Sequence, residues 1–413
     1  MQKKKKILVL SDHALSTSGV GTQTRHLING LLEKNEWTFR QFGAAMKHAD
    51  YKTVHINDDF VIKPIDGFGD RNLLRLTLAT EKPDLIFIFT DPRFFIWLWE
   101  MEDEIHQVCP VAYWHVWDAD PYPKFNETLY KSTDTINCHS YLTYKLLSDN
   151  LVNHPRINFI PHAVPKDIFY KFDENKIKKH KTAILGKNRE NHFVAIWNNR
   201  NARRKRPSDL LHSWKKFLEK TNNNDATLIM HTDPFDNEGP NLYILSEELG
   251  IKNNVFFSRD RLEFEKINVL YNISDVCINI SYAEGFGLAT LESMQTGTPI
   301  IAVKTGGLTR QVVDHRDGTE NGVAVDVSLR TLAGSQQVPY IYEDYASIDD
   351  IASAIFEVYS YDENKKTKMS KKVMDYVDSE FNMQTTIDLW HDSLNETIDN
   401  WKNDYKAWNI TTI

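Results

Sequence analysis

Short, largely apolar runs recur along this chain, each followed by a polar loop and then a stretch with helical spacing. That alternation constrains the fold more than any other feature. In the first half the runs are residues 7–10, 85–89, 111–114, 135–138 and 157–160; in the second they are 193–197, 227–231, 255–257, 276–280 and 299–303. A strand with one wet face alternates apolar and polar residues, so runs apolar on both faces belong inside parallel sheets covered by helices on either side. Between residues 166 and 191 the pattern gives way to a polar, Lys-rich stretch that reads as an interdomain linker. At 413 residues the chain is too long for one compact core and fits two doubly wound α/β domains in tandem. The tail from 385 to 408 has helical spacing, with Ile387, Trp390, Leu394, Ile398 and Trp401 on one stripe. Residues 328–345 fit neither pattern and read as an ordered insertion in the second domain.

Composition narrows the function classes. Hydrophobic residues at 41% and charged residues at 26% exclude collagen-like, low-complexity and wholly disordered chains. A net charge of -8 is wrong for a polycation that coats nucleic acid, so nucleic acid is not an expected partner. Cys109, Cys138 and Cys277 stand too far apart for a disulfide framework or a zinc site, which fits a reducing, cytoplasmic setting. The basic start at residues 3–6 is followed by only four apolar residues, too few for a secretory signal. Residues 85–99 are broken by Asp91-Pro92-Arg93 and are not expected to span a bilayer. The aromatic run from Phe94 to Trp99 reads as core, as an acceptor-cleft wall, or as a peripheral membrane contact. Abundant Lys and Asn are what an AT-rich genome, such as some viral ones, produces.

Ligands of open parallel sheets bind beyond the carboxyl ends of the strands. After the first strand comes Gly19-Val20-Gly21, entering a helix, where backbone N–H groups can approach a phosphate. After the strand at 193–197, five of the seven residues from Arg200 to Arg206 are basic, just ahead of a helix starting near Ser208. An anion would sit there. The most informative stretch runs from Ser281 to Glu292. Glycines 285 and 287 flank Phe286 where a loop turns into a helix, so N–H groups from Phe286 to Leu288 can face a phosphate. Glu284 lies in the loop and Glu292 about two helical turns on, placed to hold hydroxyls at opposite ends of one extended ligand.

Glu284 to Glu292 resembles the E-x7-E signature of retaining glycosyltransferases with the GT-B fold, family 4, the group 1 transferases. The likeness extends through residues 293–302 to Gly306-Gly307, and upstream over 255–257 and 270–276. Arg200 and Lys205 resemble that family's basic pair, and Ile160-Pro161-His162-Ala163-Val164 its turn before the linker. The resemblance implies an α/β GT-B fold. Residues 1–185 would be an acceptor-side domain, 186–380 a nucleotide-sugar donor domain, and 381–413 a helix packing back on the first domain. It further implies that Arg200 and Lys205 neutralise a donor diphosphate and that Glu284 binds sugar hydroxyls. Gly285, Phe286, Gly287 and Leu288 would line the phosphates, Glu292 would accept from the ribose, and Gly19 and Gly21 would approach the diphosphate from the first domain. His115 resembles the first-domain histidine that touches the sugar near the reacting carbon. Two departures stand out: Ser18-Gly19 replaces Gly-Gly, and Ala163 replaces the frequent glycine.

The implied reaction is transfer of a hexose from a UDP- or GDP-linked donor to a hydroxyl on a glycan, a lipid-linked or another acceptor. Anomeric configuration would be retained and no metal or permanently bound cofactor needed. Two rivals are a non-catalytic sugar-nucleotide or glycan-binding protein and a metal-dependent transferase using the DxD of Asp118 and Asp120. An epimerase would lack the E-x7-E arrangement, and a pyridoxal-dependent phosphorylase would be longer.

Overall fold

A computed structural model describes residues 3–222 and 225–404. The first lobe is built on eight strands: β1 (Lys5–Asp12), β2 (Trp37–Ala44), β3 (Val54–His55), β4 (Phe60–Pro64), β5 (Leu85–Phe89), β6 (Val111–His115), β7 (Thr135–Cys138) and β8 (Ile157–Phe159). Their order is β3-β4-β2-β1-β5-β6-β7-β8, parallel except for β3. The second lobe holds β9 (Phe193–Asn198), β10 (Ala226–His231), β11 (Val255–Ser258), β12 (Val276–Asn279), β13 (Ile300–Val303) and β14 (Gly322–Val325). These are all parallel, in the order β11-β10-β9-β12-β13-β14. Both sheets therefore reverse direction once, between β1 and β5 and between β9 and β12, and a crevice opens at each reversal.

Every expected apolar run is a strand, and burial on both faces explains why. Trp197 of β9 packs with Leu210 and Trp214 on one side of the second sheet, while Ile196 faces Leu291 and Met294 on the other. The helix Pro207–Thr221 starts on a proline, whose missing N–H costs nothing in a first turn.

The stretch read as a linker is largely a helix, Glu174–Leu185, capped by the Asp173 side chain on the N–H of Lys176 (2.9 Å). Val164, Phe169 and Leu185 belong to the core of the second lobe. The first lobe thus ends near residue 163 rather than at 185, because the apolar residues after that point find their partners across the boundary.

The helix Met383–Asp404 crosses back to the first lobe, where Ile387, Trp390, Leu394 and Ile398 pack on Ile28, Phe87 and Trp114. The expected continuation of this helix to 408, and of the segment to 413, lies outside the described residues. Residues 328–345 form an antiparallel hairpin, β15 (Leu329–Ala333) and β16 (Ile341–Tyr345), apart from both sheets. Among the described residues, no helix is long and apolar enough to cross a membrane.

Candidate donor site at the interlobe cleft

The loops after β9 and β12 meet at the second lobe's reversal point, and each basic residue of the first loop goes a different way. A one-turn 3-10 helix at Arg203–Lys205 fans them out. Arg200 points outward, 59% exposed, to Asp236 (2.7 Å) and Glu238 (3.1 Å). Arg203 donates to Glu343 of β16 (2.7 Å), and the buried Arg206 holds Asp209 and the carbonyl of Ala346. Arg204 donates to the carbonyl of Ala283 (2.7 Å) and lies 3.4 Å from Asp118 of the first lobe. Lys205 is paired with Glu284, both nearly buried. So Lys205 and Glu284 come together, while the other half of the expected basic pair, Arg200, stands apart at the rim. A cavity of about 390 Å³ opens along this loop, lined by Arg200, Arg203, Arg204, Lys205 and Tyr282. A larger one, about 490 Å³, lies elsewhere on that lobe and mixes Asp314, Asp317 and Asp375 with Arg316 and lysines, which selects no sign of ligand.

Burial is the largest influence on Glu284 and pushes its carboxyl up. Lys205, Arg204 and hydrogen bonds from Lys205 and Ser281 outweigh it and hold the group at about 2. The Lys205 ammonium is pushed down by the same burial and pulled back by Glu284. The carboxylate, with two cations and Ser281 around it, is the side whose shift reports the pairing.

Two helical turns on, Glu292 has no cation. Burial raises it to about 7, against the hydrogen bond it accepts from Tyr271 (2.7 Å). Tyr271 in turn accepts from Asn198 at the end of β9 (2.7 Å), which ties Glu292 to the carboxyl edge of the sheet.

Between the two acids, Gly287 adopts φ +93°, and a β-carbon there would lie 2.5 Å from Leu308. The helix Leu288–Gln295 that follows has no side-chain cap, so its first-turn N–H groups carry unopposed partial positive charge. Gly285 leaves space that a β-carbon would deny: it would come within 2.7 Å of Asp118 Oδ1 and 3.0 Å of His139 Nε2.

The first lobe closes over this loop. Glu284 N–H donates to the carbonyl of Asp118 (3.2 Å), and a β-carbon on Gly19 would be 3.1 Å from Leu288. Ser18, standing where a glycine was expected, caps the helix Gly19–Glu33 by accepting from Gly21 N–H (3.0 Å) and donates to Asp12 (2.6 Å).

The His115 ring is fully buried, hydrogen-bonded to the Tyr130 hydroxyl (3.0 Å) and packed edge-on to Tyr113. Beside the donor loop stand His162, whose ring meets Phe286 at 4.9 Å, and His139, one residue past β7. Burial lowers His139 to about 4 against the pull of Asp118 and Glu284, so its ring is neutral near pH 7.

The DxD carboxylates do not converge either: Asp118 meets Arg204, and Asp120 meets Arg330 of β15 (3.6 Å). In the aromatic run, Phe95, Leu98 and Trp99 are core, whereas Phe94 and Ile96 are 39% and 49% exposed.

Residues 180–345 match the family described as Glycosyl transferases group 1. The D-inositol 3-phosphate glycosyltransferase of Corynebacterium jeikeium is 42% identical over 90 residues, 22% of this chain and 20% of that protein. Its counterpart in Corynebacterium diphtheriae is 37% identical over 124 residues, 30% of this chain and 28% of that protein. The chain thus aligns with less than a third of these relatives' length. In architecture the likeness spans nearly the whole chain. Sucrose-phosphate synthase from Thermosynechococcus elongatus superposes with a TM-score of 0.74 at 17% identity, covering 96% of this chain and 100% of that one. Anabaena Alr3699/HepE, solved with UDP and glucose, gives 0.69 at 16% identity over 95% of this chain and 100% of that one.

Proposed function

We propose, from the match of residues 180–345 to the group 1 glycosyl transferases and from the GT-B fold of the chain, that it transfers a hexose from a UDP- or GDP-linked sugar to an acceptor hydroxyl with retention of configuration. The observation that carries this reading is the convergence of four features at one sheet reversal. These are the buried Lys205–Glu284 pair, Arg204 beside it, the uncapped helix at Leu288, and Glu292 two turns on.

The barrier to such a transfer is charge developing on the leaving diphosphate. Lys205, Arg204 and the N–H groups of the first helical turn stabilise that charge where it forms, in a cleft the first lobe seals from water. They do so without a metal. Arg200, at the rim, reaches the diphosphate by exchanging Asp236 and Glu238 for phosphate oxygens. Glu284 accepts from sugar hydroxyls; Glu292, ionised when it accepts from a ribose, fixes the nucleoside end.

Neutral His139 replaces His115 as the first-lobe group nearest the sugar. The C1–O bond to the diphosphate breaks with its electron pair leaving on the phosphate oxygen. The acceptor oxygen bonds C1 from the same face, and its proton passes to that phosphate oxygen. The acceptor, a glycan or a lipid-linked hydroxyl, enters from the first lobe, where exposed Phe94 and Ile96 suit a peripheral membrane contact. Three free, buried cysteines suit a cytoplasmic setting.

Thermal shift with UDP and GDP, followed by nucleoside diphosphate release from UDP-glucose and GDP-mannose, tests the reading. The expected result is one stabilising nucleotide, and release that continues in excess EDTA. Binding without release over a broad acceptor panel would leave a sugar-nucleotide-binding protein instead, and release abolished by EDTA would remove the metal-free mechanism.

A further inference from the structure

The hairpin β15–β16 takes no part in the chemistry above, yet its contacts divide between the two lobes. On its own side, Asp344 N–H donates to the carbonyl of Tyr282 (2.7 Å), and the Asp344 carboxylate accepts from Thr305 Oγ1 (2.8 Å). Glu343 accepts from Arg203 (2.7 Å). Toward the first lobe, Tyr342 N–H donates to the carbonyl of Asp120 (2.8 Å), and the Tyr340 hydroxyl accepts from Lys124 N–H (3.0 Å). The Tyr340 ring meets Phe125 edge-on at 5.2 Å. Arg330 lies between a carboxylate from each lobe, Asp344 (2.9 Å) and Asp120 (3.6 Å).

Residues 118–125 are therefore gripped twice. The donor loop holds Asp118 through its carbonyl and through Arg204; the hairpin holds Asp120, Lys124 and Phe125. The two strands differ in burial: Leu329 and Leu332 of β15 are 58% and 60% exposed, while Glu343 and Asp344 of β16 are buried. Buried carboxylates are costly unless paired. The partner of Asp344, Arg330, is the same group that reaches across to Asp120, so the element's charge balance is arranged around closure.

The geometry points to Arg330 and Tyr340 as positioning residues that hold the first-lobe loop 118–125 on the donor loop, so that Asp118 stays against the sugar end of the site during transfer. This rests on the glycosyl-transfer reading. Lys205, Glu292 and the helix at Leu288 all belong to the second lobe, so releasing the hairpin lowers turnover and leaves nucleotide affinity in place.

The double variant Asp120→Ala/Tyr340→Phe weakens the grip, removing the Arg330–Asp120 ion pair and the acceptor of Lys124 N–H, but keeps the Arg330–Asp344 pair and the β15–β16 ladder. Hydrogen exchange on the full chain without ligand is expected to quicken about tenfold or more at the amides of Lys124, Glu284 and Tyr342, with β9 and β12 unchanged. Steady-state release of nucleoside diphosphate, with whichever of UDP-glucose or GDP-mannose the wild type uses, is expected to lose about tenfold in kcat, while Kd for UDP or GDP stays within about twofold. Asp120→Glu, which keeps the carboxylate, recovers most of the rate. Unchanged exchange overturns the grip whatever the activity. Faster exchange with unchanged kcat, or loss of UDP and GDP binding along with kcat, overturns the positioning role. Should the wild type bind neither nucleotide, the function reading falls by itself and the exchange arm still decides whether the hairpin holds the loop.

Discussion

Replacing Lys205 by Met, Glu284 by Gln, and then both, separates the charges of the donor site from the space they fill. The two side chains are only 12% and 11% exposed. Removing one member of a buried pair strands the other and costs ~3–5 kcal/mol, whereas removing both is close to neutral. Lys205→Met should sit at the low end, because Arg204 remains 3.7 Å from the carboxylate. Glu284→Gln leaves the ammonium only the weaker pull of Asp118 and the repulsion of Arg204. The double variant should then be more stable than either single one by about 3 kcal/mol or more, so that the single costs are far from additive.

The pH dependence separates the singles. Freed of Lys205, the Glu284 carboxyl rises, so the Lys205→Met penalty shrinks as pH falls. Freed of Glu284, the ammonium sinks further below 10.5, so the Glu284→Gln penalty shrinks as pH rises. In the wild type, a carboxyl held at about 2 rather than 4.5 gives stability that is fully present above pH 4.5 and lost as pH falls through 2. Its size is about 3 kcal/mol, part of which the lowered Lys205 returns. Native-state hydrogen exchange in urea, read at the β9 and β12 amides, measures all of these. Additive single costs, or pH slopes of the same sign in both singles, would refute the buried pair.

Four other outcomes follow from the same geometry. Glu292 is raised from 4.5 to about 7, so its contribution to stability is intact below pH 4.5 and lost as pH rises through 7; Glu292→Gln should gain up to about 3 kcal/mol at pH 8, nothing at pH 4, and lose nucleotide affinity. Arg200→Ala should cost less than ~1 kcal/mol, as an exposed ion pair does, yet weaken UDP or GDP binding in calorimetry. Trp390→Ala, with a fully buried ring against Trp114 and Phe87, should cost ~3–5 kcal/mol in the first lobe's unfolding, since that lobe completes its core with the returning helix. His139→Asn should lower kcat, and His115→Asn should lower thermal stability with kcat preserved in the folded fraction.

The strands were legible because two-sided burial writes itself as unbroken apolar runs. β2 was not, although it lies inside the sheet: Thr38, Arg40 and Gln41 interrupt it, and Gln41 is buried only because its amide reaches Ser11 and the carbonyl of Asp12. Lysines likewise hid the helix Glu174–Leu185, whose Ile184 and Leu185 find apolar partners only in the core of the second lobe. The second-lobe site was readable because Glu284, Glu292 and the glycines between them share one loop and helix. The burial of His115 has a reason present in the sequence. Side chains alternate along a strand, so Tyr113 and His115 share a face, and that face is the core that also holds Tyr130. His139 and the hairpin carried no local signal, since Asp118 and Gly285, or Asp120 and Arg330, become neighbours only when the lobes close.

The two kinds of charge in the cleft differ in a way that suits a site which must open. Lys205 and Glu284 are nearly buried, belong to one lobe, and are too costly to separate in a catalytic cycle. The charged interlobe contacts are of the opposite kind: Arg204 with Asp118 has side-chain exposures of 37% and 31%, Arg330 with Asp120 has 44% and 32%, and Arg261 donates to Thr17 at the exposed edge. Pairs as wet as these are worth ~0–1 kcal/mol each, so these charged links can break at little cost while the Lys205–Glu284 pair stays assembled. On the proposed function, a diphosphate that draws Arg204 or the Gly19 helix toward itself would add to the closed state alone, and by that differential contact would tie closure to an occupied donor site.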